Sequence, residues 1–340
     1  MKPITKAAIL MAILVVVFIA GWEFYLRSSG VTISYDEGKE LWTAQRARVY
    51  TSPAMATVFI GSSRIKFDLD IDTWQKLTGR KAIQLAMEGN SPVPILEDLA
   101  ADPRFAGKLV IDVTEPVFFS ADDAPVRHEQ KENISYYRNR TPAQRASFLL
   151  DCALESQLVF LDKEGLSLNA QLDELPIPNR PNVFMPPIFP LDFARVTFDR
   201  QDKMSPRFLA DSSLQRRVQN IWVFMKKAGM AYMSQHPVDP APAIMQRVIA
   251  AVGKIKSRGG EIVFVRPPAS GPMEIGEERG FPRTKYWEPL LAATQCKGIH
   301  FADDPATAQL ICPEWSHLSP SDAKVYTRAL IRLLPESFAH

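Results

Sequence analysis

Beyond residue 55, short apolar segments alternate with segments of helical character along most of the chain. The apolar segments have the length of single strands and cover residues 55–61, 81–87, 108–115, 261–268 and 298–304. Amphipathic segments of helical periodicity cover residues 72–79, 91–105, 241–260 and 319–337. Continuous apolar strands that alternate with helices are typical of a parallel sheet with both faces covered. The pattern predicts an α/β domain over residues 55–340, with three α/β/α layers and a mainly parallel sheet.

The alternation stops between residues 121 and 237. This block contains two long helix-like pieces, at 142–165 and 211–233, separated by a stretch at 175–193 that is rich in proline and aromatic residues. We interpret 121–237 as a helical and irregular insertion that forms a cap or a partner surface. The proline-rich stretch is a lid, a membrane-facing surface or a docking site, and the sequence does not separate these alternatives.

The N-terminal segment has a different pattern, with Lys2 and Lys6 preceding an apolar run over residues 7–22. This run is short for a membrane span, and it also fits the core of a cleaved signal peptide. Bulky side chains stand where cleavage requires small ones, and the residues that follow are typical of an interfacial belt, namely Trp22, Tyr25 and Arg27. We therefore predict an uncleaved membrane anchor over residues 1–27. The preceding lysines orient its N-terminus toward the cytoplasm and the remaining chain toward the far side.

Residues 28–54 are predicted to be a linker with one short helix between the anchor and the α/β domain. The 340-residue chain has an ordinary globular composition, with 46% hydrophobic residues, 23% charged residues and a formal net charge of +2. It has no lysine or arginine run of the kind that binds phosphate backbones, so we expect no nucleic-acid partner.

The cysteines and histidines show no cluster with zinc spacing, and we expect neither a metal nor another cofactor. An exported domain can form disulfides. Cys296 and Cys312 flank one predicted strand and loop, so they are candidates for a disulfide that leaves Cys152 free. The alternative is three buried thiols.

The segment Gly61-Ser62-Ser63-Arg64 directly follows the first predicted strand. A serine at this position either caps the next helix or is a nucleophile at the carboxyl edge of the sheet, where such folds collect their chemistry. A serine nucleophile needs a base. His317 lies just before the last helix, and Glu314 precedes it by three residues, so that this carboxylate can orient the imidazole.

These segments resemble the conserved blocks of the SGNH (GDSL-type) hydrolase superfamily. Gly61-Ser62-Ser63 stands where the family has Gly-Asp-Ser, which makes Ser63 the candidate nucleophile, and Glu314 to His317 stands where it has Asp-x-x-His. Gly89, after the second strand, matches the glycine of the family's oxyanion hole. The family's asparagine after the third strand is missing, since the chain reads Val113-Thr114-Glu115-Pro116 there, and Asn90 is a substitute donor on the neighbouring loop.

The Gly-Ser-Ser variant and the single anchor are similar to a narrower group, the teichoic-acid D-alanylation protein and the alginate and cellulose acetylation proteins. This resemblance implies an acyl transfer to or from a cell-envelope or secreted polysaccharide, with a membrane-bound O-acyltransferase as partner. It also implies a bacterial inner membrane, with the catalytic domain on the periplasmic side. The alternatives are a non-catalytic scaffold or glycan-binding domain, and a stand-alone esterase or lipase.

Three further side chains are candidates for the substrate pocket, and each has a structural alternative. Arg64 and Arg266 either bind a substrate anion or pair with a structural acid. Trp315 either forms a wall of the pocket or packs under the final helix. Asp112, inside an apolar strand, needs a partner because it is predicted to be buried, and it is either structurally paired or near the site.

Overall fold

A computed structural model of the chain describes residues 2–51, 56–121, 129–173, 175, 187–236 and 238–339. Its first helix, α1 (Pro3–Ser28), has 26 residues and a mean hydropathy of 2.5 over an 18-residue window. A helix of this length rises about 39 Å, more than the hydrocarbon core of a bilayer at about 30 Å. Helix α1 is therefore long and apolar enough to cross a membrane.

The described strands form a five-stranded parallel sheet and a small antiparallel hairpin. The strands are β1 (Ala56–Ile60), β2 (Lys81–Gln84), β3 (Lys108–Asp112), β4 (Arg195–Val196), β5 (Asp202–Lys203), β6 (Glu261–Arg266) and β7 (Lys297–His300). The sheet has the order β2-β1-β3-β6-β7, and β4 pairs with β5. The winding direction reverses between β1 and β3, which is where sheets of this kind open a crevice at their carboxyl edge.

The remaining helices are placed between and around these strands. They are α2 (Lys39–Arg48), α3 (Ser63–Asp68), α4 (Ile71–Thr78), α5 (Val93–Ala101), α6 (Glu115–Phe118), α7 (Glu129–Asn139), α8 (Pro142–Glu155), α9 (Lys163–Leu166), α10 (Leu168–Asp173), α11 (Pro206–Ala210), α12 (Ser212–Gln235), α13 (Ala241–Lys256), α14 (Gly271–Gly280), α15 (Trp287–Thr294), α16 (Pro305–Ala308), α17 (Pro320–Leu333) and α18 (Glu336–Ala339). Short 3₁₀ turns lie at Val159–Leu161 and Phe301–Asp303.

Both faces of the sheet are covered, as the uninterrupted apolar strands predict. Val58 and Ile60 belong to a cluster that includes side chains of α5 and α13. Phe59, between them, points the other way, into a cluster with side chains of α3, α4 and α17. The five strands and four helices predicted from the alternation are confirmed, with ends that differ by a few residues.

Within the predicted linker 28–54, of which residues 52–54 lie outside the described part, the short helix is present as α2 and packs into the α/β domain. Trp42 of α2 is fully buried, and its indole N–H donates to the Leu85 carbonyl at 3.1 Å. Arg46 is also buried and pairs with Asp98 at 3.0 Å. The Asp98 carboxylate compensates the buried guanidinium of Arg46. Helix α2 is therefore part of the α/β core.

The insertion contains helices α7 to α12 and the hairpin β4–β5, whose two-residue strands the sequence pattern did not predict. Its C-terminal half adds a third hydrophobic cluster, in which Phe193, Phe208 and Val218 pack against Phe67 of α3. Of the proline-rich stretch 175–193, residues 176–186 lie outside the described part. The insertion thus meets the α/β domain at the helix that follows β1.

The predicted disulfide is not formed, since Cys152, Cys296 and Cys312 are all free. Cys296 stands immediately before β7, whereas Cys312 lies beyond its carboxyl end, where its thiol contacts the Pro268 carbonyl. The two cysteines flank one strand in sequence and therefore lie at its opposite ends. Burial raises the pKa of the Cys312 thiol well above its usual value.

Candidate active site

In the turn after β1 the two serine hydroxyls have different roles, because Ser62 caps a helix and Ser63 faces a base. Ser62 is the N-cap of α3, and its Oγ accepts a hydrogen bond from the Arg64 backbone N–H. Ser63 is the first residue of α3, so its own N–H has no intrahelical acceptor. Gly61 is required for space, since a Cβ there would lie 2.3 Å from Cβ of Asp112.

Ser63, His317 and Glu314 form a continuous hydrogen-bonded chain. His317 Nε2 lies 2.8 Å from Ser63 Oγ, and His317 Nδ1 lies 3.0 Å from Glu314 Oε1. The histidine and the glutamate are almost completely buried, whereas the serine is partly accessible. The geometry is that of a nucleophile, a base and an orienting carboxylate.

Four donors hold the carboxylate of Glu314. Its Oε1 accepts from the backbone N–H groups of His317, at 2.6 Å, and Ser316, at 3.3 Å, as well as from the imidazole. Its Oε2 accepts from the indole N–H of Trp222 in α12. The insertion therefore supplies the fourth donor to the triad carboxylate.

Aromatic rings surround His317. Its ring centroid lies 4.4 Å from that of Phe67, 5.6 Å from that of Phe193 and 5.7 Å from that of Trp222. Phe193 and Trp222 belong to the insertion, and sequence reasoning did not select either of them. His317 is buried among these rings, and their packing restricts the direction in which Nε2 points.

Beneath the serine turn, Asp112 at the end of β3 holds Ser62. The backbone N–H and the hydroxyl of Ser62 donate to Asp112 Oδ2 at 2.9 and 2.8 Å, and the Thr114 hydroxyl donates to Oδ1 at 3.0 Å. Burial raises the pKa of Asp112 above its usual value. Asp112 is therefore structurally paired, and because its partner Ser62 precedes Ser63 it also lies near the candidate site.

Arg64 and Arg266 are paired with buried acids, which favours the structural alternative given for each of them over contact with a substrate anion. Both guanidinium groups donate to Glu277 of α14, and Arg266 also donates to Glu115 at 2.7 Å. Burial would raise the pKa of Glu277, but the two arginines lower it below its usual value. The four groups form a neutral buried ion network beside α3, and neither arginine has a free face for an anion.

The candidate oxyanion loop follows β2, next to β1. Gly89 is exposed and has a φ of +63°, a left-handed conformation that glycine adopts without strain. The Asn90 amide is buried and donates to the Glu88 carbonyl at 2.8 Å, while its Oδ1 has no hydrogen-bond partner among the described residues. No hydrogen bond joins Gly89 or Asn90 to Ser63 in the described part, so their oxyanion role stays a prediction.

Two buried charged residues of α3 fix the loops around the triad, and sequence reasoning missed both. Asp68 Oδ1 accepts from the backbone N–H of Leu318 at 2.9 Å, which ties the histidine loop to the serine helix. Lys66 pairs with Glu88, next to Gly89, and lies 3.3 Å from Asp202 of β5. Both residues follow Ser63 closely in the sequence. Charged residues on a short helix nevertheless predict exposure to solvent as long as their buried partners are unknown.

Trp315 packs against a neighbouring loop. It has a φ of +83°, its carbonyl accepts from the Ser270 N–H at 2.8 Å, and a Cβ on Gly271 would lie 3.4 Å from its indole. These contacts are with the turn at the start of α14 and not with the final helix, and the indole that lies against His317 is that of Trp222.

The part of the chain that the structure describes has no group of three or more histidine, cysteine, aspartate or glutamate side chains placed to hold a metal ion. No protein-family model matches the chain, and no curated protein matches it significantly. The chemistry of the site must therefore be argued from its own geometry.

Proposed function

We propose that this chain is a membrane-anchored serine acyl-transfer enzyme of the SGNH type, with α/β/α layers, that moves an acyl group to or from an envelope or secreted polysaccharide. The observation that carries the proposal is the contact between His317 Nε2 and Ser63 Oγ, together with the contact between His317 Nδ1 and Glu314. The three residues come from two segments, one with Ser63 and one with Glu314 and His317, that lie more than 250 positions apart in sequence. A domain that only binds glycans has no use for such a proton relay.

In the proposed reaction, Ser63 Oγ attacks the carbonyl carbon of an acyl ester or thioester while His317 Nε2 takes its proton. Glu314 keeps the remaining imidazole proton on Nδ1 and stabilises the imidazolium. As the tetrahedral intermediate collapses, the imidazolium gives its proton to the leaving group and an acyl-Ser63 ester remains. His317 Nε2 then takes a proton from the incoming hydroxyl, whose oxygen attacks the ester carbonyl. As this second intermediate collapses, the bond to Ser63 Oγ breaks, the imidazolium returns its proton to Ser63 Oγ, and the acyl group leaves on the acceptor.

The developing oxyanion needs donors that are fixed before the reaction. The N–H of Ser63 is one, because it stands at the first position of α3. We assign the second to the N–H of Gly89, with the Asn90 side chain as a third candidate. The segment after β3 has no asparagine, and the hydroxyl of its Thr114 donates to Asp112, so in this proposal the chain relies on the loop after β2.

The acceptor in this proposal is a glycan hydroxyl, and water in its place would make the protein an esterase. The site residues are the same in both cases. We further propose that α1 anchors the protein in a bacterial inner membrane with the domain on the periplasmic side. A membrane-bound O-acyltransferase would then supply the acyl group.

The proposal is tested by treating the detergent-solubilised full chain with a fluorophosphonate probe and mapping the labelled peptide by mass spectrometry. We expect one label, on Ser63, that is absent from Ser63→Ala and His317→Ala. Ser257→Ala, which removes an exposed hydroxyl at the end of α13, is the matched control and should label normally.

The same preparation, given an activated acetyl ester with and without an oligosaccharide, separates transferase from esterase. Acetylated oligosaccharide indicates transfer, and free acetate alone indicates hydrolysis. A folded protein that neither labels nor turns over, alone or co-purified with its membrane partner, would overturn the enzymatic proposal in favour of a binding domain.

A further inference from the structure

Helix α8 exposes an apolar face that the rest of the described chain does not cover. Leu149, Leu150 and Leu154 are 68%, 67% and 52% exposed. At 100° per residue these leucines lie on one side of the helix, together with Ala146 and Ala153. Asp151 and Glu155 lie on the other sides, and Glu155 is buried against the domain. The helix is therefore amphipathic, with its apolar side turned away from the protein.

The turn that follows α8 is bonded to the end of the candidate membrane span. Glu23 is the first charged residue after the apolar run of α1, and its carboxylate accepts the backbone N–H groups of Val159 and Phe160 at 3.0 and 3.1 Å. Arg27, one turn later, donates to the Gln157 carbonyl at 2.6 Å and pairs with Glu23 at 2.7 Å. Residues 157–160 are thus held at the level where α1 leaves the apolar phase.

The hydrogen bonds between α1 and residues 157–160 determine which surface can cover the exposed leucines of α8. Leu154 is three residues from Gln157 in sequence. At the rise of a helix, Leu149 is about 12 Å from Gln157 along the axis. An amphipathic helix beside the end of a span lies at the depth where apolar side chains enter the boundary between headgroups and acyl chains. Arg145, exposed at the edge of the apolar face, suits anionic headgroups there.

We propose that α8 lies on the membrane surface and inserts Leu149, Leu150 and Leu154 among the lipids of the leaflet from which Glu23 emerges. This inference rests on α1 being a membrane anchor, which is part of the proposed function, but it is independent of the chemistry at Ser63. The membrane then holds the insertion at a second point besides the anchor, and this limits how the domain can tilt above the surface.

The test uses the full chain in liposomes of phosphatidylethanolamine and phosphatidylglycerol that contain a nitroxide-labelled lipid. In a background with its three cysteines replaced, the environment-sensitive fluorophore NBD is attached to Leu150→Cys. Asp151→Cys, on the polar side of the same helix, is the matched control, and Val15→Cys, inside α1, reports the anchor. Each protein must keep the circular-dichroism melting temperature of the unlabelled background.

We expect lipid quenching at positions 150 and 15 that is several-fold stronger than at position 151. Quenching at 15 with equal, weak quenching at 150 and 151 would overturn the proposal while leaving the anchor intact. A blue-shifted but unquenched fluorophore at 150 would also overturn it, because a protein surface would then cover the leucines. Absence of quenching at 15 would instead refute the anchor on which the inference rests.

Discussion

Glu314→Gln places an amide where every polar neighbour is a hydrogen-bond donor. The carboxylate oxygens of Glu314 accept from two backbone N–H groups, the imidazole of His317 and the indole of Trp222. Glutamine has only one carbonyl oxygen. Whichever way the amide is turned, its NH₂ group must therefore face at least one N–H at close range.

The glutamine should turn its NH₂ group toward Trp222. In this orientation the NH₂ group faces one N–H donor, whereas in the opposite orientation it would face three. Leaving a buried charge-assisted hydrogen bond unmade costs about 1.5–3 kcal/mol, and we expect Glu314→Gln to lower the free energy of unfolding by this amount. The labelling rate of Ser63 should fall by about 10²- to 10⁴-fold, since a neutral amide does not stabilise the imidazolium.

Trp222→Phe removes the opposed N–H and keeps a ring against His317. By itself it should destabilise the protein, because it takes a donor from a buried carboxylate. In the Trp222→Phe background, however, Glu314→Gln should cost less than in the wild type. The predicted coupling between the two sites is about 1–2 kcal/mol, within the range for residues in direct contact.

The assay is a double-mutant cycle on the solubilised full chain, with unfolding followed by circular dichroism. Trp315→Phe combined with Glu314→Gln is the control, because Trp315 is adjacent in sequence but its indole makes no hydrogen bond to the carboxylate. This control pair should be additive. Additivity within about 0.5 kcal/mol for Trp222 and Glu314 as well would refute the argument that the indole helps to hold the triad.

Three other predictions concern the surroundings of the triad. Gly61→Ala should cost about 1–3 kcal/mol and abolish probe labelling, because its Cβ overlaps Asp112; an unchanged melting temperature would contradict this packing. Burial raises the pKa of Asp68 well above its usual value, so the folded state holds a proton that the unfolded state releases. Relative to Asp68→Asn, the wild type should therefore lose stability as the pH rises from about 4 through the folded-state pKa, and melting curves showing a constant difference between pH 4 and 8 would contradict this. Thiol titration of the denatured, unreduced protein should find three free thiols. A single free thiol would instead support the disulfide predicted between Cys296 and Cys312.

The alternation of apolar strands and helices was enough to predict the sheet, because a strand buried on both faces leaves an uninterrupted apolar run. Ser63 and His317 could also be selected from the sequence, since Ser63 comes directly after the first strand and His317 stands just before the last long helix. The aromatic residues around the imidazole were not predictable. Phe193 and Trp222 lie in a block without strand or helix alternation, and nothing in their spacing indicates that the block folds back onto α3.

Buried charge is the second reason why prediction from sequence was incomplete. Arg64 and Arg266 were candidate anion ligands because Arg64 comes shortly after β1 and Arg266 ends β6, so both lie at the carboxyl edge of the sheet. Their partner, Glu277, lies on a helix whose charged residues suggest solvent exposure. Only the fold shows that Glu277 is buried between both guanidinium groups.

Glutamate, one methylene longer than the aspartate of the Asp-x-x-His pattern, is compatible with the hydrogen-bonded chain because its side chain folds back over its own turn. Trp315 takes a φ of +83°, and the backbone N–H groups of Ser316 and His317 then both point at Oε1. The extra methylene is absorbed within these four residues, so His317 Nδ1 still meets the carboxylate at 3.0 Å. The second carboxylate oxygen, Oε2, points away from this turn and accepts a hydrogen bond from the indole N–H of Trp222. The glutamate and the insertion are therefore linked, because a carboxylate placed in this way needs a donor that the α/β domain alone does not provide.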